Sequence, residues 1–160
     1  MDTAKAHFLK KDFIPLLKSI PEDAAPRWGK MAPQQMVEHF TESVRIAAGT
    51  FPDVPHLTPA ENLPKMQAFL MSDKPFRENT QNPMVPETPA PVRHASMAEA
   101  LNELQNTLDD FFQAFYGNEK FTTHNPFFGE LNFEMNVQLL YKHAVHHLRQ
   151  FGVDVTPITL

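Results

Sequence analysis

A chain of 160 residues and 18.3 kDa has room for one domain, spanning residues 1–160, with a self-sufficient core. Its 42% hydrophobic and 21% charged residues, with a mean hydropathy of -0.37, describe an ordinary soluble globule. A net charge of -5 offers no basic stripe for nucleic acid, no apolar run approaches the ~20 residues that cross a bilayer, and the absence of cysteine excludes disulfides, thiolate metal sites and a Cys nucleophile.

The segment Met1 to Lys11 is polar where a secretory signal needs an apolar stretch, so a cytoplasmic protein is expected. From about Thr3 to Ile20, Phe8, Leu9, Phe13, Leu16, Leu17 and Ile20 recur at helical spacing, and Pro15 predicts a kink or a new turn. A second helix is predicted from Pro33, a residue suited to the first helical position, to a stop at Gly49. Its face of Met36, Phe40, Ser43, Val44 and Ala47 also carries His39. Ser96 to Glu99 reads as a capping box that opens a third helix, with Leu101, Leu104, Leu108, Phe111, Phe112 and Phe115 as its stripe and Gly117 as its end. Asn132 is a good N-cap for a fourth. There Phe133, Val137, Leu140, Ala144, His147 and Phe151 share a face flanked by Asn136, Leu139 and His143, and Gly152 follows as C-cap.

Residues 50–95 form a long connection between the second and third helices. Nine of the fifteen prolines lie from Pro52 to Pro91. Thr58 to Glu61 has the pattern of another capping box, Lys65 to Ser72 has room for two turns, and Asp73 to Arg93 reads as irregular. A connection this long either covers a site or simply wraps the surface. Strand signals are weak, and the tail from Val153 is too short to build a sheet. The expected fold is an all-α four-helix bundle with a long Pro-rich crossover.

The eight histidines locate the candidate chemistry, because three of them fall within five positions: His143, His146 and His147. His143 and His147, four apart on a helix, have Cβ atoms about 5–6 Å apart, and two imidazole nitrogens can then reach one metal at about 2.0–2.1 Å. His146 lies about 100° around the helix from His147 and pairs with His143 only if His147 is left out. A third ligand has to come from a facing helix, and His39 is the one histidine on another inward stripe. Three neutral nitrogens leave a fourth position open to water or substrate, as in catalytic sites. The simpler reading is a set of core histidines bonded to carbonyls, or imidazolium at a helix C-terminus. Ala144 stands where a zincin His-Glu-x-x-His motif needs Glu, so a metalloprotease is excluded.

Three segments together, Pro26 to Phe40 (PRWGKMAPQQMVEHF), His124 to Leu131 (HNPFFGEL) and Tyr141 to Gly152 (YKHAVHHLRQFG), resemble the DinB/YfiT-like superfamily, in a branch known mainly as a domain of unknown function. The middle segment has one residue more between His124 and Gly129 than the branch's usual spacing; Ala32 replaces the usual Ser or Thr cap, and Met135 a common Trp. The resemblance implies a four-helix bundle with a divalent metal on His39, His143 and His147. Characterised members of the superfamily include transferases and isomerases that use small thiol cofactors, and fold alone transfers a reaction only weakly.

The expectation is therefore a divalent-metal-dependent enzyme acting on a small molecule, a thiol-dependent transferase first and a hydrolase second, with Glu42 as the only named general base. A non-catalytic metal- or ligand-binding bundle, or a metal-free homodimer, are the rival readings. Zn or Ni is the expected metal, and a low-molecular-weight thiol a candidate cofactor. Gln35, Ser43, His124, His146 and Gln150 are candidates to orient the ligands or line the pocket, against the plainer role of helix-face or loop contacts. Trp28, the single tryptophan, reads as a core plug under the loop first and as a substrate wall second.

Overall fold

A computed structural model of the chain describes residues 3–80 and 82–159. The first helical segment comprises α1 (Ala4–His7), a widened π-type turn (Phe8–Asp12) and α2 (Phe13–Lys18). Thr3 caps it by accepting the Ala6 N–H at 3.2 Å. Pro15 supplies no N–H, and its ring crowds the carbonyl one turn back, so the wide turn just ahead of it accommodates the proline without ending the helix.

The next helix, α3 (Pro33–Ala48), ends at Gly49, whose φ of 77° is the left-handed C-cap conformation. Ala32 has no side chain to cap α3. Instead the Gln35 side chain accepts the Ala32 N–H at 2.8 Å, which is half of a capping box. The following connection holds a 3-10 turn (Ala60–Asn62) and α4 (Leu63–Met71). The capping box expected at Thr58 does not form: Pro59 stands at the cap position, and Pro64 takes the first turn of α4. Helix α5 (Met97–Phe115) does begin at the Ser96 cap, which accepts the Glu99 N–H at 3.2 Å.

A purely all-α four-helix bundle is corrected at residues 123–131. The fold is helix-rich, with a small antiparallel sheet of β1 (Thr123–Asn125) and β2 (Gly129–Leu131), in which Thr123 faces Leu131 and Asn125 faces Gly129. The Asn125 side chain accepts the N–H groups of Phe127 and Phe128 at 2.9 and 3.1 Å, and Gly129, with φ 78°, closes the three-residue loop. Strands three residues long carry no readable alternation, which is why the pattern does not announce them.

Helix α6 (Phe133–Gln150) is the central element and packs against α1, α2, α3, α4 and β2. The main core sits among the helices and includes Phe13, Met36, Phe40, Leu104, Leu108, Phe111, Leu140 and Leu148. A smaller apolar cluster of Leu70, Phe128 and Leu131 lies under α4 and the sheet, with Phe69 and Phe76 against it. Buried Asn136 ties these layers together by donating to the Thr123 hydroxyl at 3.0 Å, and that hydroxyl donates to the Ala47 carbonyl at 2.9 Å. Among the described residues no helix is long and apolar enough to cross a membrane.

Candidate metal centre

Two turns of α6 and the middle of α3 bring His39, His143 and His147 together. One ring nitrogen from each lies within 4.8 Å of the others. The Nε2 atoms of His143 and His147 are 2.8 Å apart, and the His39 ring centroid is 5.2 Å from each of their rings. Two nitrogens on one tetrahedral metal stand about 3.3 Å apart, so the His143 and His147 rings would part slightly to admit an ion. Three imidazoles suit Zn, Ni, Cu or Fe rather than Mg or Ca. The donor set therefore fits a transition metal. His147 is buried, whereas His39 and His143 are partly exposed, so one side of the cluster faces outward.

The His147 tautomer follows from its neighbours. The Gln150 amide nitrogen donates to the Trp28 carbonyl at 2.9 Å, and a carbonyl can only accept. The amide oxygen must then face His147, whose Nδ1–H donates to it at 2.8 Å. The proton on Nδ1 leaves the Nε2 lone pair directed at the cluster, the form a metal needs. Gly29 lets the Trp28 carbonyl come this close: its φ is 75°, and a Cβ there would stand 3.2 Å from the Gln150 amide nitrogen.

Burial sets the protonation of all three rings. It pushes His39 down to about 4, with the charge of His146 adding to the effect. Burial, then the neighbouring histidines, holds His143 well below the usual imidazole value. His147 is lowered in the same way, against a smaller opposing contribution from Gln150. His146 is lowered by burial and by Arg149, with Glu78 and the Phe76 backbone pulling the other way. At neutral pH the three converging rings are thus unprotonated donors.

The remaining sequence-predicted residues sit as follows. His146 lies beside the cluster, its ring 5.1 Å from His147 and 5.3 Å from Trp28. Trp28 is only partly buried, so it is an edge of the site rather than a plug. Gln35 is occupied elsewhere: besides capping α3, it donates to the Ala90 carbonyl at 2.9 Å and so anchors the Pro-rich connection. The Ser43 hydroxyl donates weakly back to the His39 carbonyl, at 3.4 Å. Glu42 is exposed, and its charge acts on Arg93, which also pairs with Glu38 and Glu103. His124 holds a loop: its Nε2 contacts the Pro55 carbonyl at 3.2 Å, its Nδ1 lies 3.4 Å from Glu130, and its ring lies 3.8 Å from that of His56.

Two aromatic neighbours escaped the sequence reading. Phe40 lies against the His143 ring at 5.0 Å and 31°, a contact implicit in the spacing of α3 and α6. Phe76, from the irregular connection, stands 6.5 Å from His143 and 6.4 Å from His146, and no periodicity in that segment marks it.

No curated protein and no solved structure matches the chain. The family described as "Protein of unknown function (DUF1569)" matches residues 17–153, and the chain belongs to it.

Proposed function

We propose that the chain is a divalent-metal-dependent enzyme of the helix-rich DinB/YfiT-like type, acting on a small molecule by thiol-dependent transfer. The observation that carries this reading is the convergence of three unprotonated imidazoles, open to solvent on one side. His39, His143 and His147 would hold the ion. A bound transition metal supplies Lewis acidity, which lowers the pKa of a thiol or water and polarises a carbonyl. The chain's own contribution is to keep the three rings neutral, to orient His147 through Gln150 and Trp28, and to shield the buried side of the site with Phe40.

Hydrolysis is the second reading: among the described residues no carboxylate joins the histidine group, so a metal-bound water would act there without a neighbouring carboxylate base. Glu42 is exposed and lies outside the histidine group, so it is poorly placed to act as that base. Metal-loaded, tag-free protein should show a rise in melting temperature with one class of small thiol, and turnover of an electrophilic model substrate that depends on that thiol. Stabilisation by metal with neither thiol response nor turnover would replace the enzyme reading with a non-catalytic metal-binding protein.

A further inference from the structure

The outward side of the histidine cluster is edged by aromatic rings. Phe76 is delivered there by the connection after α4, and its position is held from behind. The Lys142 ammonium lies 5.1 Å from the Phe76 ring and 4.3 Å from that of Phe69. The same ammonium donates to the carbonyls of Phe69, Leu70 and Ser72 at 3.0, 3.3 and 3.3 Å, so it binds the end of α4 and the first residues beyond it to α6. Phe128 flanks Phe76 at 6.5 Å in a near-parallel arrangement. Across His146 stands Trp28. Trp28, Phe76, His143 and His146 are all partly exposed, so their ring surfaces are available beside the metal-binding nitrogens. The charges that act on His146 are those of Arg149 and Glu78, one of each sign, and the Lys142 ammonium lies against the Phe76 ring.

From this arrangement we propose that Phe76 is a specificity-determining residue of the histidine site, selecting small molecules that carry an aromatic or similarly flat apolar group next to their metal-binding atom. The inference rests on the metal reading above and adds the class of molecule that the site accepts. Ring-on-ring contact favours an aromatic body over an aliphatic one by roughly three- to tenfold beyond its greater hydrophobicity.

The test compares two thiols of similar acidity, benzyl mercaptan and 2-mercaptoethanol, on the Co2+-loaded protein, each titrated through its thiolate-to-cobalt charge-transfer band. The ratio of the two affinities should fall by about three- to tenfold in Phe76→Ala, while the 2-mercaptoethanol constant stays within about twofold. Phe76→Leu, which keeps bulk but not a ring face, should fall nearly as far. An unchanged ratio in Phe76→Ala overturns the proposal. A second readout needs no metal: benzyl alcohol, which has the aromatic body without the thiol, should change the emission of Trp28 in the metal-free wild type and fail to do so in Phe76→Ala. Equal responses in both proteins, or none in the wild type, count against the aromatic wall. Failure of the wild type to take up Co2+ would instead remove the metal reading, with the benzyl alcohol response still deciding the role of Phe76.

Discussion

Gln150 can sit only one way round, and that constraint reaches the histidine cluster. Its amide nitrogen is committed to the Trp28 carbonyl, so its oxygen holds the His147 proton on Nδ1. Replacing Gln150 with Leu removes the acceptor and frees the tautomer and the ring angle. Transition-metal affinity, measured by competition with a chromophoric chelator, should drop by about 10- to 100-fold. An unchanged affinity would mean that Gln150 only packs. At this scale the sequence was informative where helical geometry carries the message. Four-residue spacing put His143 and His147 on one face, and the stripe of α3 put His39 inward. Spacing could not say which polar neighbours turn toward the rings. Gln35 and Gln150 look alike in sequence, yet one caps a helix and holds a loop while the other accepts from the His147 ring. Phe76 lies in a segment without regular structure, and its place is set by long-range contacts that no local pattern encodes.

Among the elements, α6 departs most from its expected form. Its apolar stripe is buried as the periodicity predicts, apart from the partly buried Phe133, but Gln138 and Lys142 on another face are buried as well. They face the end of α4: Gln138 donates to the Leu70 and Ser72 carbonyls at 3.1 and 3.2 Å and accepts from the Lys5 ammonium at 2.6 Å. A helix that meets backbone carbonyls needs donors there, and donors read as solvent-facing residues in an amphipathic pattern. Burial, and then the charge of Lys5, brings the Lys142 ammonium down to about 8, with Asp73 opposing. Lys142→Met keeps most of the bulk and removes the donor. It should lower the urea midpoint by an amount equivalent to about 1–3 kcal/mol, and hydrogen exchange should quicken first in α4. A midpoint equal to that of the wild type would show that water replaces the ammonium without loss. The helices themselves were legible because each has a cap or a stop with a physical reason, such as Ser96, Asn132 and Gly49. The β1–β2 hairpin was not, because its determinants are one Asn side chain and one Gly rather than alternation.

For the whole molecule, three imidazoles packed between α3 and α6 link folding to pH. In the unfolded chain each takes up a proton near the usual imidazole value; in the folded chain His39 resists until about pH 4, and His143 and His147 stay well below that usual value. Between about pH 6.5 and 4 the unfolded state therefore binds more protons, and the stability of the metal-free protein falls as the pH is lowered through that window. Urea midpoints taken from pH 7.5 down to 4 should show this decline, and it should be shallower in His147→Phe, which removes one of the resisting groups; equal slopes in the two proteins would contradict the linkage. The neutral rings that make the fold acid-sensitive are the same groups proposed as the ligand set. The most direct measurement is equilibrium dialysis of tag-free protein against Zn2+, with zinc and protein quantified in the same samples. One zinc per chain in the wild type, lost in His39→Ala although the variant remains folded, is the predicted result. A wild type without stoichiometric zinc, or a His39→Ala protein that binds it as tightly as the wild type, would contradict a single site shared by α3 and α6.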